Sequence, residues 1–239
     1  MTVDQSLGRP YIGAYWGQRR ESAWAGAERL LRCVTLLGEA HSLLGSWFRG
    51  GSTRDAAWAG PLAGDDLEAV TQRFERGALR RDDNGEPMPY GGFVVGWWNG
   101  EAAAPAGLRA SAGIESEFQV NSVVLELPPL ENAEHIYQPE AAVQILTAIQ
   151  SSWELEWATW VTHPWRDARP LSRPWPPSMG WLTYLNGVQP HALDAGHMEG
   201  VADGALVWAA DAFSRVTVDG LLAVRAGLER AGDLRPVLR

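Results

Sequence analysis

Three groups of residues have types and spacings that could support chemistry, and the first is a candidate metal site. His191, Asp194 and His197 are three residues apart, which would suit ligands on one side of a turn. The segment has no clear helical frame, however, and a fourth ligand is not evident. The pattern favours surface polar residues between two strands, so we predict no metal site and no cofactor.

The second group could form an acid/base pair. His163 opens the segment His163-Pro164-Trp165-Arg166-Asp167 and follows shortly after Glu154 and Glu156, and a histidine beside a carboxylate can transfer protons in catalysis. Neither a nucleophile nor a phosphate cradle accompanies them, so a small hydrolase is an alternative rather than our main hypothesis. Nucleotide-binding, phosphate-binding, serine-hydrolase and zinc-peptidase motifs are absent from the sequence, and we predict no catalytic residue.

The third candidate is Cys33, the single cysteine. It falls on the apolar side of a predicted helix, whereas a reactive thiol needs a partly exposed, electropositive site. We therefore interpret Cys33 as a small buried hydrophobic residue. A single cysteine cannot form an internal disulfide, which fits a reducing compartment. The N-terminus lacks a secretory leader and no apolar run is long enough to span a bilayer, so we expect a cytoplasmic protein without membrane contact.

In our interpretation, the elements that would position these residues centre on residues 91–128. Strands are predicted at residues 91–98, 108–114 and 120–127, and Asn99-Gly100 indicates a tight hairpin turn after the first of them. Strands so close in sequence usually pair antiparallel. We therefore expect this block to form the centre of an antiparallel sheet.

The remaining elements cover that sheet. Strands are predicted at residues 11–16, 45–48, 157–162, 180–185 and 205–208, and helices at residues 22–44, 65–76, 139–152 and 217–232. Asp65 and Thr217 are the expected N-caps, and Pro139 fits a first helical position. The pattern predicts an α+β fold with helices packed on one face of a largely antiparallel sheet. We expect one domain over residues 1–239, with residues 1–9 as a loose N-terminal segment.

Charge is distributed unevenly along the chain. The formal net charge is −9, and no lysine is present. Residues 61–160 alone carry 16 acidic residues against 5 arginines, a balance of −11. Direct nucleic-acid binding needs cations that displace counterions from phosphates, so this composition argues against it. It is compatible with steering toward a basic partner and also with a simple solvated surface.

Thirteen tryptophans are present, and most lie in predicted strands or helices where a core role is the plain explanation. Trp165 and Trp175 instead lie in residues 164–178, which contain five prolines and predict an extended loop. Loops bury little, so these two rings could be exposed on a partner surface. They could equally stack on sugars, as in a carbohydrate-binding module, or fold back as a lid over the core.

Four segments taken in order resemble the immunity protein 52 family, the tryptophan-containing α+β immunity proteins of bacterial polymorphic toxin systems. The resemblance extends from Tyr11 to the last helix, although residues 102–106 and the proline-rich loop depart from it. The segments are Tyr11-Ile12-Gly13-Ala14-Tyr15-Trp16, Trp98-Asn99-Gly100, Asn121-Ser122-Val123-Val124-Leu125 and Gly180-Trp181-Leu182-Thr183-Tyr184.

The resemblance implies a protein without catalysis that binds and silences a toxin encoded beside it, often one with a restriction-endonuclease-like nuclease domain. It assigns Trp16, Trp98, Asn121 and Trp181 to holding the sheet together, so we expect toxin binding in the loops. An acidic, aromatic-rimmed face would cover the nuclease groove. The candidate toxin-binding residues are Asp82, Asp83, Glu86, Glu115, Glu117, Trp165 and Trp175.

Overall fold

The chain folds around one antiparallel sheet with helices beside it. The computed structural model describes residues 8–49, 66–168 and 177–236. The strands are β1 Pro10–Trp16, β2 Phe48–Arg49, β3 Phe93–Trp98, β4 Gly107–Ala112, β5 Asn121–Glu126, β6 Trp157–Thr162, β7 Leu182–Asn186, β8 His197–Val201 and β9 Gly204–Trp208. The α-helices are α1 Ala23–Ala40, α2 Leu67–Arg76, α3 Pro139–Trp153, α4 His163–Asp167 and α5 Val218–Ala231. Single 3-10 turns lie at Ser42–Leu44, Leu130–Asn132, Glu134–Tyr137 and Phe213–Arg215.

The strand order places β1, and not residues 91–128, in the middle of the sheet. The order is β2-β3-β4-β5-β1-β6-β7-β9-β8, and each neighbouring pair is antiparallel. β1 pairs with β5 from Tyr11 opposite Glu126 to Trp16 opposite Asn121, and with β6 on its other side. Our expectation for the centre was wrong because β1 pairs with strands far along the chain, and no turn motif reveals such pairing.

The hairpin between β3 and β4 is present, but its connection is not the tight turn that Asn99-Gly100 predicts. Trp98 pairs with Gly107, so residues 99–106 form the loop. The buried amide of Asn99 closes this loop, because it donates to the carbonyl oxygen of Ala104 (3.0 Å) and accepts from the amide of Ala106 (2.9 Å). The asparagine satisfies buried backbone groups here instead of forming a two-residue turn.

Helices α1, α2 and α3 form a layer on one face of the sheet. The inward residues of β1 on this side are Ile12, Ala14 and Trp16, all buried. Trp16 stacks on Trp153 of α3 with ring centroids 5.4 Å apart. At the other flank, Phe74 of α2 lies 6.4 Å from the ring of Trp97. The predicted α+β fold, an antiparallel sheet covered by helices, is confirmed.

Local capping explains where the helices begin. Asp66, one residue later than we predicted, accepts from the amide of Ala69 at 2.7 Å. Thr217 caps α5 and Pro139 opens α3, as predicted. Among the described helices, none combines the length and apolar character that a membrane crossing requires.

Further segments differ from the sequence predictions. Residues 164–167, predicted as part of an irregular loop, belong to α4, since Pro164 is tolerated in a first turn and Thr162 accepts from the amide of Trp165 (3.4 Å). Residues 197–201 form the edge strand β8, paired along β9. Its polar residues and its glycine give no alternating apolar pattern, so the sequence provided no signal for it.

Candidate partner-binding surface

The candidate metal ligands do not converge on a common point. Each of the three side chains has its own partner, and the hydrogen bond that His191 donates to the carboxylate of Asp233 raises the pKa of His191. Within the described ranges, no three or more histidine, cysteine or acidic side chains are grouped to hold a metal ion. The pairs are His191–Asp233 at 2.7 Å, Arg230–Asp194 at 2.7 Å and His197–Glu199 at 3.2 Å.

Of the candidate acid/base residues, Asp167 shares α4 with His163 but is bound by Arg166 at 2.7 Å, and the two glutamates are separated from His163. His163 is exposed and its ring lies 4.9 Å from that of Tyr11. Glu154 and Glu156 precede β6 while His163 follows it, so a six-residue strand, about 20 Å long, lies between them. Glu154 instead pairs with two arginines of the α1 region. The hydrolase alternative therefore gains no support from the geometry.

Cys33 is completely buried in α1. Burial raises the pKa of its thiol to about 12. A thiol with so high a pKa is a poor nucleophile at neutral pH. Its interpretation as a small buried hydrophobic residue is confirmed.

The first acidic loop is a hydrogen-bonded hairpin that projects between α2 and β3. The amide of Arg81 donates to the carbonyl oxygen of Glu86 (2.9 Å), and the amide of Gly85 donates back to Arg81 (3.0 Å). The side chain of Asn84 accepts from the amide of Glu86 at 3.0 Å. Residues 81–90 are all exposed, so this ordered turn presents Asp82, Asp83 and Glu86 to solvent.

The second acidic loop connects β4 to β5 and contacts the base of that hairpin. The amide of Glu115 donates to the carbonyl oxygen of Tyr90 at 3.1 Å. Three residues further on, the amide of Phe118 donates to the hydroxyl of Ser116 (3.1 Å). The hydrogen bond between Glu115 and Tyr90 joins the two acidic segments at one end of the sheet.

We name the combined exposed area the two-loop surface. Its aromatic rings are strongly exposed: Tyr90 by 62% and Phe118 by 63%. Glu115 lies 3.9 Å from the guanidinium of Arg20, a loose ion pair. The surface is defined by Asp82, Asp83, Glu86, Met88, Tyr90, Glu115, Glu117 and Phe118.

Of the two tryptophans assigned to the binding face, Trp165 does not contribute to this surface. Trp165 is buried against Phe213 with ring centroids 5.1 Å apart, so the lid alternative fits and the exposed alternative, which a place on the binding face requires, does not. Trp165 follows Thr162, which pairs with Pro10 at the start of β1. Glu115 lies near the other end of β1. Trp175 lies outside the described residues.

Sequence reasoning missed Met88, Tyr90 and Phe118. Tyr90 stands between Pro89 and Gly91, and Phe118 is a lone aromatic in an otherwise polar run. An aromatic residue in a segment without strand or helix periodicity has no apolar face of its own segment to pack into, although a tertiary contact can still bury it, as it buries Trp165. That signal could have identified both rings.

The buried side chain of Asn121 holds the second loop in place through hydrogen bonds to the backbone. The side chain of Asn121 is fully buried at the start of β5. Its amide bonds to Ile114, directly before Glu115, and to Gly17 at the end of β1. A side chain identified through the family resemblance therefore supports the loop from beneath, consistent with the structural role expected of it.

A groove of about 540 Å³ borders the two-loop surface at Glu117. Its lining includes the carboxylates of Glu156 and Asp233, but both already accept hydrogen bonds, from Gly17 and His191 respectively. Glu117 makes no ion pair with any described residue. The groove extends the acidic end of the sheet without adding free carboxylates.

Comparisons with known proteins bear on the fold and the family. No curated protein matches this chain. Among solved structures, the chain is similar to the Pseudomonas aeruginosa T6SS protein PA0821, with a TM-score of 0.50 and 11% sequence identity. The similarity covers 92% of this chain and 72% of that one, and at such low identity it shows the fold alone.

A family model described as immunity protein 52 matches residues 9–237. The match spans nearly the whole sequence, including the sheet, the helical layer and both acidic loops. It agrees with the resemblance carried by the tryptophan- and asparagine-containing segments. The chain therefore belongs to the immunity protein 52 family, whose members are immunity proteins of toxin systems.

Proposed function

We propose that this immunity protein neutralises a cognate bacterial toxin with a restriction-endonuclease-like nuclease domain, in the cytoplasm, as part of a polymorphic toxin system. Membership of the family implies binding to a toxin. In the proposed mechanism the two-loop surface covers the groove in which DNA would lie. No chemical step is needed, because an occupied groove excludes the substrate.

The observation that supports this surface is its set of unpaired carboxylates. Asp82, Asp83 and Glu117 make no ion pair within the described part of the chain and lie on ordered loops. A nuclease groove must carry cations to bind phosphates. Acidic side chains that are free of internal partners are available to pair with those cations and to steer the encounter.

A charge-reversal variant tests the proposal. We expect the triple change Asp82→Arg, Asp83→Arg and Glu117→Arg to weaken binding to the toxin encoded by the neighbouring gene by roughly 10- to 100-fold or more. The affinity is measured by calorimetry, and protection is measured by survival of cells expressing the toxin. Because all three side chains are exposed, the thermal stability should change little.

The matched control reverses three exposed acids elsewhere, Glu131, Glu134 and Glu140, near the opposite end of β5. It changes the net charge by the same amount as the two-loop variant. Because these acids lie outside the two-loop surface, the control should lower the association rate only slightly. If both triple variants lose the same affinity for the toxin, the net charge of the protein and not the position of the acids causes the loss, and the assignment of this face is wrong. Full protection by the two-loop variant would contradict the assignment of this face.

A further inference from the structure

The exposed apolar side chains are concentrated at the two-loop surface. Six large hydrophobic side chains in the described residues are exposed, and three of them belong to the two contacting loops. The other three lie on α1 and α5. The six are Trp24, Met88, Tyr90, Phe118, Val218 and Leu222.

The backbone that carries Tyr90 is fixed by hydrogen bonds on both sides. The amide of Met88 donates to Leu79 (2.7 Å), the amide of Gly91 donates to Met88 (3.1 Å), and the carbonyl oxygen of Tyr90 accepts from Glu115. Phe118 follows a turn closed by the hydroxyl of Ser116. The chain therefore holds two rings in water on ordered backbone, which lowers the entropy lost on binding.

From this arrangement we infer that Tyr90 and Phe118 are the anchors of toxin binding. This inference rests on the proposed function. The rings enter apolar depressions on a basic face of the toxin. The carboxylates of Asp82, Asp83, Glu86, Glu115 and Glu117 surround them as a polar rim. Partner surfaces that suit this pattern carry arginines or lysines around an apolar centre.

The rim and the anchors act on different rate constants. Exposed charges at a rim change the association rate and its dependence on salt. Desolvated aromatic anchors dominate the binding energy and act through the dissociation rate. The anchor assignment therefore makes a kinetic prediction that an acidic surface alone would not make.

The test uses the full-length protein and, as probe, the C-terminal domain of the toxin encoded by the neighbouring gene. We expect Tyr90→Ser and Phe118→Ser each to raise the dissociation rate by about 30-fold or more. The association rate and its salt dependence should stay within about threefold of the unaltered protein's. Tyr90→Phe should retain nearly all the affinity, because the ring and not the hydroxyl provides the contact.

Leu222→Ser on α5 is the matched control, since Leu222 is an exposed hydrophobic side chain outside the two loops. It should leave both rate constants unchanged. If the unaltered protein binds the probe but both serine variants dissociate at the original rate, the anchor assignment is wrong and the proposed function stands. If the unaltered protein does not bind the probe, the proposed function fails and the inference fails with it.

Discussion

The side-chain amide of Asn121 connects three segments at the end of the sheet. Its oxygen accepts from the amide of Ile114 (2.8 Å), and its nitrogen donates to the carbonyl oxygens of Gly17 (2.6 Å) and Ile114 (3.0 Å). The two bonds to Ile114 are buried and the bond to Gly17 is partly buried. A single residue therefore determines whether several backbone groups have partners.

We expect Asn121→Ala to lower the free energy of unfolding by about 3 kcal/mol, because it leaves buried donors and acceptors unpaired. Urea denaturation measures the change. Asn132→Ala is the control: this exposed amide makes one hydrogen bond, to Ala103 at 2.8 Å, and should cost less than about 1 kcal/mol. Equal losses in the two variants would contradict the role given to Asn121.

Residue types predicted the structural residues better than the binding residues. Trp16, Asn121 and Trp181 are buried as expected, and Trp98 is half-buried on β3. The candidate acidic residues lie on surface loops because unpaired charges rarely enter a core, and their role in binding stays a prediction. Trp165 was misassigned because its burial depends on Phe213, a contact that no local pattern reveals.

At the scale of elements, the hairpin that carries the acidic tip depends on glycines with different surroundings. Gly92 has φ of +64° at the base, where an added Cβ would overlap the carbonyl oxygen of Ala112 and approach Gly113. Gly85 has φ of +70° at the tip, with no atom within 4 Å of an added Cβ. The two positions share a backbone conformation but not a steric environment.

We expect Gly85→Ala to destabilise the protein by about 1 kcal/mol, the cost of a left-handed conformation for a residue with Cβ. Gly92→Ala should cost about 3 kcal/mol or more, because the backbone must also move away from Ala112. It should weaken toxin binding too, since Tyr90 lies two residues earlier. Denaturation curves and binding measurements on both variants separate the two effects, and equal stability of the variants would contradict the steric argument.

Elements with local signals were predicted, and those defined by distant contacts were not. Pro139, Thr217 and the alternation in residues 120–127 identified α3, α5 and β5 from a few residues each. The central position of β1 depends on pairing with strands on both sides, from distant parts of the chain. The contact between Tyr90 and Glu115 is likewise tertiary, so the sequence predicted the acidic loops without showing that they meet.

At the scale of the whole molecule, a buried thiol and two buried tyrosine hydroxyls keep their protons in the folded protein at pH values where the unfolded chain loses them. Burial raises the pKa of the Cys33 thiol to about 12 and raises the pKa of the hydroxyls of Tyr15 and Tyr137. In the unfolded chain, these groups titrate near pH 8.5 for cysteine and about 10 for tyrosine. Above those values the unfolded chain loses protons that the folded chain retains, so stability falls as pH rises.

We therefore expect the melting temperature to be constant from about pH 7 to 8 and to decrease above about pH 9. The Cys33 contribution alone should be about 1.4 kcal/mol for each pH unit between the unfolded and folded pKa values. Circular dichroism melts across this range measure the trend. Cys33→Ala should move the onset of the decrease in melting temperature to about pH 10, where tyrosines begin to titrate. A melting temperature that stays constant up to about pH 11 would contradict the argument.

The two loops contain no tryptophan, and this has an optical consequence. The buried tryptophans include Trp16, Trp153, Trp160, Trp181 and Trp208, whereas the rings of the loops are a phenol and a phenyl group. An indole emits at shorter wavelength in apolar surroundings than in water. Tryptophan emission should therefore shift to the red when the chain unfolds, while docking at Tyr90 and Phe118 leaves the spectrum of these interior fluorophores nearly unchanged.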